Sequence, residues 1–310
     1  MAVKTDFSHA ELRAILADYD VGEFQASQAF EHGADQTNIL LSTSTGKYAF
    51  RYYEKRLEDY VRFEIDLLHF LGNQSYPCPA PIQRRDGRYF ALHNGKPYAL
   101  FTFLEGEHEH RTDNYRLVAP ALAWLNNLTC AYRPAYAAAR TPYGAAYAWS
   151  CAQANATYLT DPSEAQERLG WFRVELATLQ LPNGLPKGVC HCDSNRSNFL
   201  YKDGKLAAVL DFDQASYTWV LYDVAQMIYW WTWPDKGNIQ LDESRDLVAH
   251  YETVRQLSDT ERHALFDMLK LVHLVGIGWS LADDSFPNDK RKVVDLDVLG
   301  RDAFYDAIFH

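Results

Sequence analysis

The pattern of hydrophobic and polar positions predicts a first part of the chain that mixes helix and strand. Residues 8–18 are predicted to form a short helix, because Ser8 and Glu11 are spaced as the pair that caps a helix N-terminus. Runs rich in β-branched and aromatic residues follow, separated by turn residues, and this pattern is typical of antiparallel strands. The three strands predicted here are residues 24–30, 38–45 and 47–53.

A second helix and two further strands complete this first part. Residues 57–72 have apolar side chains at helical spacing and end on Gly72, which predicts a helix. Three closely spaced prolines follow and indicate an extended connector, since proline fits neither a helix interior nor a central strand. Residues 87–93 and 97–106 again have strand character. We therefore expect five antiparallel strands, with one helix before them and one between the third and fourth.

The chain after Gly106 is predicted to be mainly helical. Two short strand-like runs, 188–191 and 199–212, interrupt the helices, and Asp203-Gly204 predicts a hairpin turn within the second run. The clearest predicted helices are residues 113–128, 147–159, 163–179, 222–231, 242–256 and 260–282. We expect an α+β fold of two domains, in which residues 1–103 hold the small sheet and residues 104–310 form a larger, mainly helical part.

Composition and charge narrow the partners that this chain can have. Hydrophobic residues make up 47% of the 310 residues, enough for a substantial core. A net charge of -11 repels nucleic-acid phosphates, so we expect no DNA or RNA partner. No run approaches the ~20 apolar residues of a membrane helix, so no membrane association is expected. The five cysteines lack a disulfide spacing, which favours free thiols and a cytoplasmic location. The oligomeric state is left open by the sequence.

One constellation combines the residue types that phosphoryl transfer needs. His191 and Asp193 are followed by Asn198, and after the predicted hairpin by Asp211 and Asp213. Phosphoryl transfer requires a carboxylate near the attacking hydroxyl, oxygen ligands for magnesium, and neutralisation of the phosphates. Asp193 offers the base, and Asn198 and Asp211 offer the hard oxygen donors that Mg²⁺ prefers. Asp213 either assists the metal and substrate or caps a turn.

These motifs also carry a resemblance to a known family. The segment from His191 to Asn198, with Leu210-Asp211-Phe212, resembles the catalytic and metal motifs of the aminoglycoside phosphotransferase and choline kinase superfamily. Within that superfamily the chain is most similar to the kinase-fold homoserine kinases, through residues 16–23, 52–56, 77–82, 102–106 and 222–225. The resemblance runs from about Ala10 to about Pro234. It implies a bilobal protein-kinase-like fold, with ATP and Mg²⁺ as cofactors and a small-molecule hydroxyl as acceptor.

The resemblance assigns roles around the predicted catalytic loop. Asp193 matches the catalytic base, and Asn198 and Asp211 match the magnesium ligands. His191 matches a loop residue that braces the backbone of the site, and Asp223 matches a buried aspartate that anchors the loop.

Further positions match the nucleotide-binding part of the family. Phe101, Phe103 and Leu104 match the linker whose backbone pairs with adenine, and Gly33 lies in the turn that matches the loop over the phosphates. This turn is not a Walker A loop, since no Gly-x4-Gly-Lys-Ser/Thr occurs in the chain.

Two positions depart from the family pattern. Arg51 occupies the place of the lysine that holds the phosphates, and Glu64 is its expected helix partner. Arginine keeps the charge but differs from lysine in shape. The pair is either part of the nucleotide site or a surface ion pair. Asn126 replaces a histidine at the end of a helix, and this bears on the geometry around the site.

An aromatic cluster follows the catalytic motifs. Tyr229, Trp233 and Asp235 either line a pocket for an amine-bearing substrate, through cation–π contacts and charge, or belong to the core. The run from Cys190 to Asp193 also raises a zinc interpretation. It is disfavoured, because neighbouring side chains of an extended segment point to opposite faces.

The sequence leaves the phosphoryl acceptor open. Homoserine leads by resemblance, followed by an aminoglycoside or other antibiotic, and then by choline or ethanolamine. An alternative of another class is a nucleotide-binding pseudokinase or regulatory module, which the departures at Arg51 and Asn126 motivate.

Overall fold

The structure is a computed structural model that describes residues 5–30, 35–109 and 111–310. The chain divides into an α+β unit and a mainly helical unit. The α+β unit takes in residues 1–107, 134–140 and 200–210, and the helical unit takes in residues 108–133, 141–199 and 211–310. Each unit is therefore built from separate stretches of the chain. The boundary expected between residues 103 and 104 stays a prediction.

The described residues of the α+β unit include an antiparallel sheet of five strands in the order β1–β2–β3–β5–β4. Side chains along β2 alternate between buried and half-buried, with Ile39 and Leu41 inside, as the pleat of a half-covered strand requires. The strands are Phe24–Ala29 (β1), Thr37–Thr43 (β2), Lys47–Tyr52 (β3), Phe90–His93 (β4) and Lys96–Thr102 (β5). The predicted sheet and its α+β class are confirmed.

Two helices belong to the same unit, α1 at His9–Leu16 and α2 at Glu58–Asn73. Ser8 caps α1 by accepting a hydrogen bond from the backbone N–H of Glu11, whose side chain returns the contact. Helix α2 lies between the third and fourth strands in chain order, and it buries the apolar positions that predicted it.

The helical unit contains helices α3 to α10 and a two-stranded antiparallel pair, β6 (Lys187–Cys190) with β9 (Ser216–Trp219). Its helices are Tyr115–Cys130 (α3), Ala145–Ala156 (α4), Pro162–Ala177 (α5), Leu221–Met227 (α6), Leu241–Glu252 (α7), Asp259–Ser280 (α8), Phe286–Leu299 (α9) and Arg301–Phe309 (α10). Strand β9 and helices α9 and α10 were not predicted from the sequence. No helix in the described ranges is long and apolar enough to cross a membrane.

A second two-stranded pair, β7 (Phe199–Lys202) with β8 (Lys205–Val209), forms the hairpin expected around Asp203-Gly204. Both turn residues have positive φ, 52° and 70°, which asparagine, aspartate and glycine tolerate best. This hairpin connects the segment that ends at Asn198 to the segment that starts at Asp211.

Candidate active site

The loop after β6 carries the predicted catalytic base and one predicted metal ligand in direct contact. The Asn198 side-chain nitrogen donates a hydrogen bond to Asp193 Oδ2 at 2.9 Å and another to the Asp193 backbone carbonyl at 2.9 Å. The amide oxygen of Asn198 therefore faces away from the Asp193 carboxylate, and it offers a neutral oxygen donor beside a carboxylate.

His191 lies beneath this loop and is fully buried. Its Nδ1 accepts a hydrogen bond from the Asp193 backbone N–H at 3.2 Å. The imidazole ring packs against Phe212, with centroids 4.7 Å apart, and against Phe199 at 6.3 Å. The ring therefore fixes the backbone of Asp193.

Asp223, in α6, anchors the same loop from inside the protein. Its carboxylate accepts the backbone N–H groups of His191 and Cys192, each at 3.0 Å. Asn126 in α3 donates to the same carboxylate at 2.9 Å and accepts a hydrogen bond from the Tyr251 hydroxyl at 2.8 Å. Burial raises the pKa of Asp223, and the three N–H donors act in the opposite direction. The family departure at Asn126 is thus part of a continuous buried network.

Two further side chains hold the loop, and sequence reasoning did not single them out. The Gln226 side chain acts as both acceptor and donor. Its Oε1 accepts a hydrogen bond from the Ser194 N–H at 2.9 Å, and its Nε2 donates to the Cys192 carbonyl at 2.7 Å. Trp231 donates from its indole N–H to the Ser194 carbonyl at 2.9 Å. Asp223 and Gln226 are three residues apart on one helix, so they share a face. Two polar residues at that spacing in an apolar run were the available signal.

Asp211 lies two residues beyond the end of β8, and its backbone is left-handed at φ 60° and ψ 70°. Cys192, beside Asp193, has φ 60° as well. Such conformations cost free energy in residues other than glycine, and they cluster at functional sites.

The carboxyl group of Asp193 has a raised pKa. Burial is the main cause, and the negative charge of Asp211 adds to it, while His191 and Asn198 act in the opposite direction. The two carboxylates therefore influence each other directly. Asp213 is buried two residues beyond Asp211. The structure thus brings Asp193, Asn198 and Asp211 together within the helical unit.

Arg51 and Glu64 pair inside the α+β unit. Arg51 on β3 donates to Glu64 on α2 at 2.8 Å, and Glu64 is 1% exposed. Asn38 accepts a second hydrogen bond from Arg51 at 3.2 Å, and the Tyr53 hydroxyl donates to Glu64 at 3.1 Å. Because the carboxylate is buried, the interpretation as a surface ion pair is wrong. The role of Arg51 toward phosphate stays a prediction.

The predicted adenine linker lies at the end of β5. Phe101 is buried and pairs with Ala49 in the sheet, and Leu104 is half-buried beyond the strand. Phe103 is half-buried and stacks on Phe30 at a centroid distance of 6.4 Å. The predicted phosphate-loop residue Gly33 lies outside the described residues.

The predicted substrate residues Tyr229, Trp233 and Asp235 lie in and after a π-helical segment, Ile228–Thr232. Tyr229 and Trp233 both pack edge-on against His273, at centroid distances of 4.8 and 4.7 Å. Asp235 lies 3.7 Å from the Lys292 ammonium. The three residues therefore lie against His273 and Lys292, and their role in substrate binding remains a prediction.

Three groups that could bind zinc do lie close together. The candidate ligand atoms of Cys190, Cys192 and Asp223 are all within 4.8 Å of one another. The Asp223 oxygens, however, already accept the backbone and Asn126 N–H groups described above. The Cys190 thiol donates to the Trp219 carbonyl at 3.2 Å. The Cys190 thiol and the Asp223 carboxylate are thus occupied by hydrogen bonds that hold the loop, and this occupation disfavours a metal ion there.

Comparison with known proteins gives matches over most of the chain. The sequence model described as the phosphotransferase enzyme family (APH) matches residues 27–264. A homoserine kinase of Xanthobacter autotrophicus is 34% identical over 283 residues, which cover 86% of this chain and 83% of that protein. A homoserine kinase of a Caulobacter species is 36% identical over 274 residues, with the same coverage of 86% and 83%.

Solved structures share the fold at low sequence identity. An amicoumacin kinase, in complex with AMP-PNP, Ca²⁺ and Ami, superposes with a TM-score of 0.69 at 16% identity, covering 95% of this chain and 97% of that one. A microcompartment-associated aminopropanol kinase gives a TM-score of 0.67 at 14% identity, covering 98% and 99%.

Proposed function

We propose that this chain, which belongs to the phosphotransferase enzyme family and is a small-molecule kinase, moves the γ-phosphoryl group of ATP onto the hydroxyl of a small amine-bearing acceptor. Homoserine is the first acceptor to test, because relatives of 34% and 36% identity are homoserine kinases. Mg²⁺ is the proposed cofactor metal.

The observation that carries the proposal is the contact between Asn198 and Asp193, with the charge of Asp211 acting on the same carboxyl group. A base, a neutral oxygen donor and an anionic oxygen donor then belong to one site. This is the set of groups that phosphoryl transfer asks of a protein.

Asp193 is the proposed general base. In this role its carboxylate accepts a hydrogen bond from the acceptor hydroxyl and takes its proton as the oxygen attacks phosphorus. Asn198 orients that carboxylate through one hydrogen bond and holds the Asp193 carbonyl through another. His191 and Asp223 fix the backbone on which Asp193 stands. A positioned base contributes typically ~10²–10⁴ in rate.

Asn198 and Asp211 fit a magnesium ion by their chemistry. One offers an amide oxygen and the other a carboxylate, and Mg²⁺ needs only one or two protein oxygens beside phosphate and water. When bound, the metal neutralises charge on the transferred phosphoryl group.

Arg51 is proposed to face the phosphates of the nucleotide, with Glu64 and Asn38 fixing its guanidinium. The planar guanidinium group of arginine can donate hydrogen bonds to two phosphate oxygens at once. Phe101, Phe103, Leu104 and Gly33 are proposed for nucleotide binding on the basis of resemblance. The amicoumacin kinase that shares this fold was solved with AMP-PNP.

The proposal is tested by measuring ADP release with ATP, Mg²⁺ and one of three acceptors, L-homoserine, choline or an aminoglycoside. We expect turnover with L-homoserine. Asp193→Asn should lower kcat by ~10²–10⁴-fold while nucleotide binding persists, because the fold keeps an isosteric side chain that cannot take the proton.

Asp203→Asn is the matched control. Asp203 is exposed in the hairpin turn with φ 52°, which asparagine accepts, so kcat should not change. Asp193→Asn with wild-type turnover would reject the role of the base. Turnover with choline or an aminoglycoside alone would reject homoserine but keep the phosphotransferase.

A further inference from the structure

A buried polar cluster lies among α8, α9 and the π-helical segment of the helical unit. We name it the Lys292 cluster, and it consists of Tyr229, Trp233, His273 and Lys292. Tyr229 and Trp233 both contact His273, and the Lys292 ammonium lies 5.5 Å from the centre of the Tyr229 ring. The four side chains therefore form one contiguous group.

Lys292 is an unusual residue to bury. It is 2% exposed, and its ion-pair distance to Asp235 is 3.7 Å, which is longer than a hydrogen bond. Asp235 is itself 98% exposed, so water screens its charge. Burial lowers the pKa of Lys292, as expected for a cation held away from water.

Two neighbouring groups are buried without a hydrogen-bond partner. They are the indole nitrogen of Trp233 and Nε2 of His273. Native proteins rarely leave buried polar groups unsatisfied, and those that remain often await a ligand or water. A cation and two such nitrogens in one cluster match an anionic ligand group.

Acidic residues flank the cluster on the solvent side. Asp289 on α9 is half-buried, and the charges of Lys292, Asp235 and Asp283 all act on its carboxyl group. Asp235 and Asp283 are exposed. A buried cation beside exposed carboxylates is the complement of a molecule that carries both charges, such as an amino acid.

The cluster is connected to the catalytic loop through the π-helical segment. Trp231 in that segment bonds the Ser194 carbonyl, and Arg196 donates to the Trp231 carbonyl at 3.2 Å. Tyr229 and Trp233 lie two residues to either side of Trp231. A ligand held at the cluster is thus held by the same segment that supports Asp193.

We propose that Lys292, together with Trp233 and His273, binds the carboxylate of the phosphoryl acceptor, and that Asp235 and Asp289 face its ammonium group. This inference rests on the function proposed above and narrows its acceptor to a hydroxyl-bearing amino acid. Amino alcohols and aminoglycosides lack a carboxylate for Lys292 to bind.

The test compares L-homoserine with L-homoserine amide, which keeps the ammonium and the hydroxyl but has no carboxylate. Wild-type protein should prefer homoserine by about 10²-fold or more in kcat/KM, as expected for a buried charge pair. Lys292→Met should lose about 10²-fold for homoserine, mainly through KM, and less than about 3-fold for the amide.

Lys290→Met is the matched control on the same helix. Lys290 lies over the Trp171 ring at 5.3 Å, away from the cluster, so both acceptors should be used as by wild type. Trp233→Phe is a second variant that removes the indole N–H donor, together with the ring that carries it, and keeps an aromatic side chain. It should weaken homoserine use about 10-fold and leave the amide unaffected.

Folding is checked by thermal unfolding. Methionine is unbranched and one atom shorter than lysine, and it carries no charge, so Lys292→Met should melt at or above the wild-type temperature. A variant that melts well below wild type and loses both acceptors equally would assign Lys292 a structural role and overturn the proposal. Equal use of homoserine and its amide by wild-type protein would also overturn it.

A binding measurement separates this inference from the proposed function. L-2-aminobutyrate has the amino acid group without a hydroxyl, and its binding can be followed by calorimetry without turnover. Binding that Lys292→Met abolishes supports the carboxylate site, even if no acceptor is phosphorylated and the proposed function fails. Turnover of homoserine without discrimination against the amide rejects the site and keeps the function.

Discussion

Asn126 shows how one residue can join two parts of a buried network. Its nitrogen serves the Asp223 carboxylate and its oxygen receives the Tyr251 hydroxyl, at 2.9 and 2.8 Å. A side chain with a donor at one end and an acceptor at the other fits between these partners. The sequence marked this position only as a departure from a family pattern. The reason for asparagine becomes clear when Tyr251, distant in the chain, is seen beside it.

Asn126→Ala should lower the free energy of unfolding by about 2–4 kcal/mol, because the substitution removes one hydrogen-bond donor from the buried Asp223 carboxylate and the acceptor of the Tyr251 hydroxyl. Turnover should fall as well, since Asp223 holds the backbone of the loop that carries the proposed base Asp193. Urea unfolding and an ADP-release assay measure the two effects.

The neighbouring Asn127→Ala serves as the control for this substitution. Asn127 is exposed and bonds the Val254 carbonyl, so its loss should cost about 0–1 kcal/mol. Equal effects of the two substitutions would contradict the importance of the network.

At the scale of elements, helices α4 and α8 approach closely at Gly278. A Cβ atom placed on Gly278 would lie 2.8 Å from the Ala148 carbonyl oxygen and 3.3 Å from the Cys151 Cβ. Backbone of one helix thus meets backbone of the other, and only glycine leaves the space. The helix was predicted from its apolar spacing, but this close contact has no signature in the sequence.

Gly278→Ala should lower the free energy of unfolding by about 1–3 kcal/mol, because a backbone oxygen cannot move aside as a flexible side chain can. Gly276→Ala on the same helix meets only the Tyr229 hydroxyl at 3.9 Å, an ordinary contact. It should stabilise the protein by up to about 1 kcal/mol through helix propensity. Chemical denaturation of both variants measures this, and stabilisation by Gly278→Ala would contradict the packing argument.

The π-helical segment is another feature of element scale that the sequence did not reveal. Residues 222–231 were predicted as one helix, and the structure changes at Ile228 to the wider winding. π-Helical turns are rare and occur mostly as single turns within α-helices, so apolar residues at helical spacing do not reveal them. The consequence of the wider winding is that Trp231 reaches the Ser194 carbonyl.

For the molecule as a whole, stability in acid depends on carboxylates that are paired across long stretches of chain. Glu54 is the clearest case in the α+β unit. Its buried carboxylate accepts hydrogen bonds from Thr5, Thr37 and Lys96, the last at 2.7 Å. Burial alone would raise the pKa of Glu54, but these donors together lower it to about 2.

A lowered pKa in the folded state means that the contribution of Glu54 is complete above its ordinary value of 4.5 and is lost as the pH falls from there toward 2. Glu54→Gln should therefore destabilise the protein by about 1–3 kcal/mol at pH 7. The difference from wild type should narrow by about 1 kcal/mol at pH 3.5. Urea unfolding at both pH values checks this, and a pH-independent difference would contradict it.

The sequence by itself determined most of the helices and strands and the order in which the candidate site residues follow one another. The capped first helix and the five-stranded antiparallel sheet follow from local spacing, which is set by the periods of helix and strand. Asp193, Asn198 and Asp211 could be selected because they lie close in the chain, within one loop and across one hairpin. Contacts between residues this close in the chain are set by local spacing, so the sequence alone contains them.

Tertiary structure alone decided which distant groups support and complete that chemistry. Asn126 with Tyr251, Trp233 with His273, and Lys292 with Tyr229 meet only when separate elements pack. Residues 134–140 and 200–210 join the α+β unit for the same reason, although their own sequence does not indicate it. The sequence around a polar side chain does not predict its distant hydrogen-bond partner, because the packing of the hydrophobic faces around it determines which partner comes close.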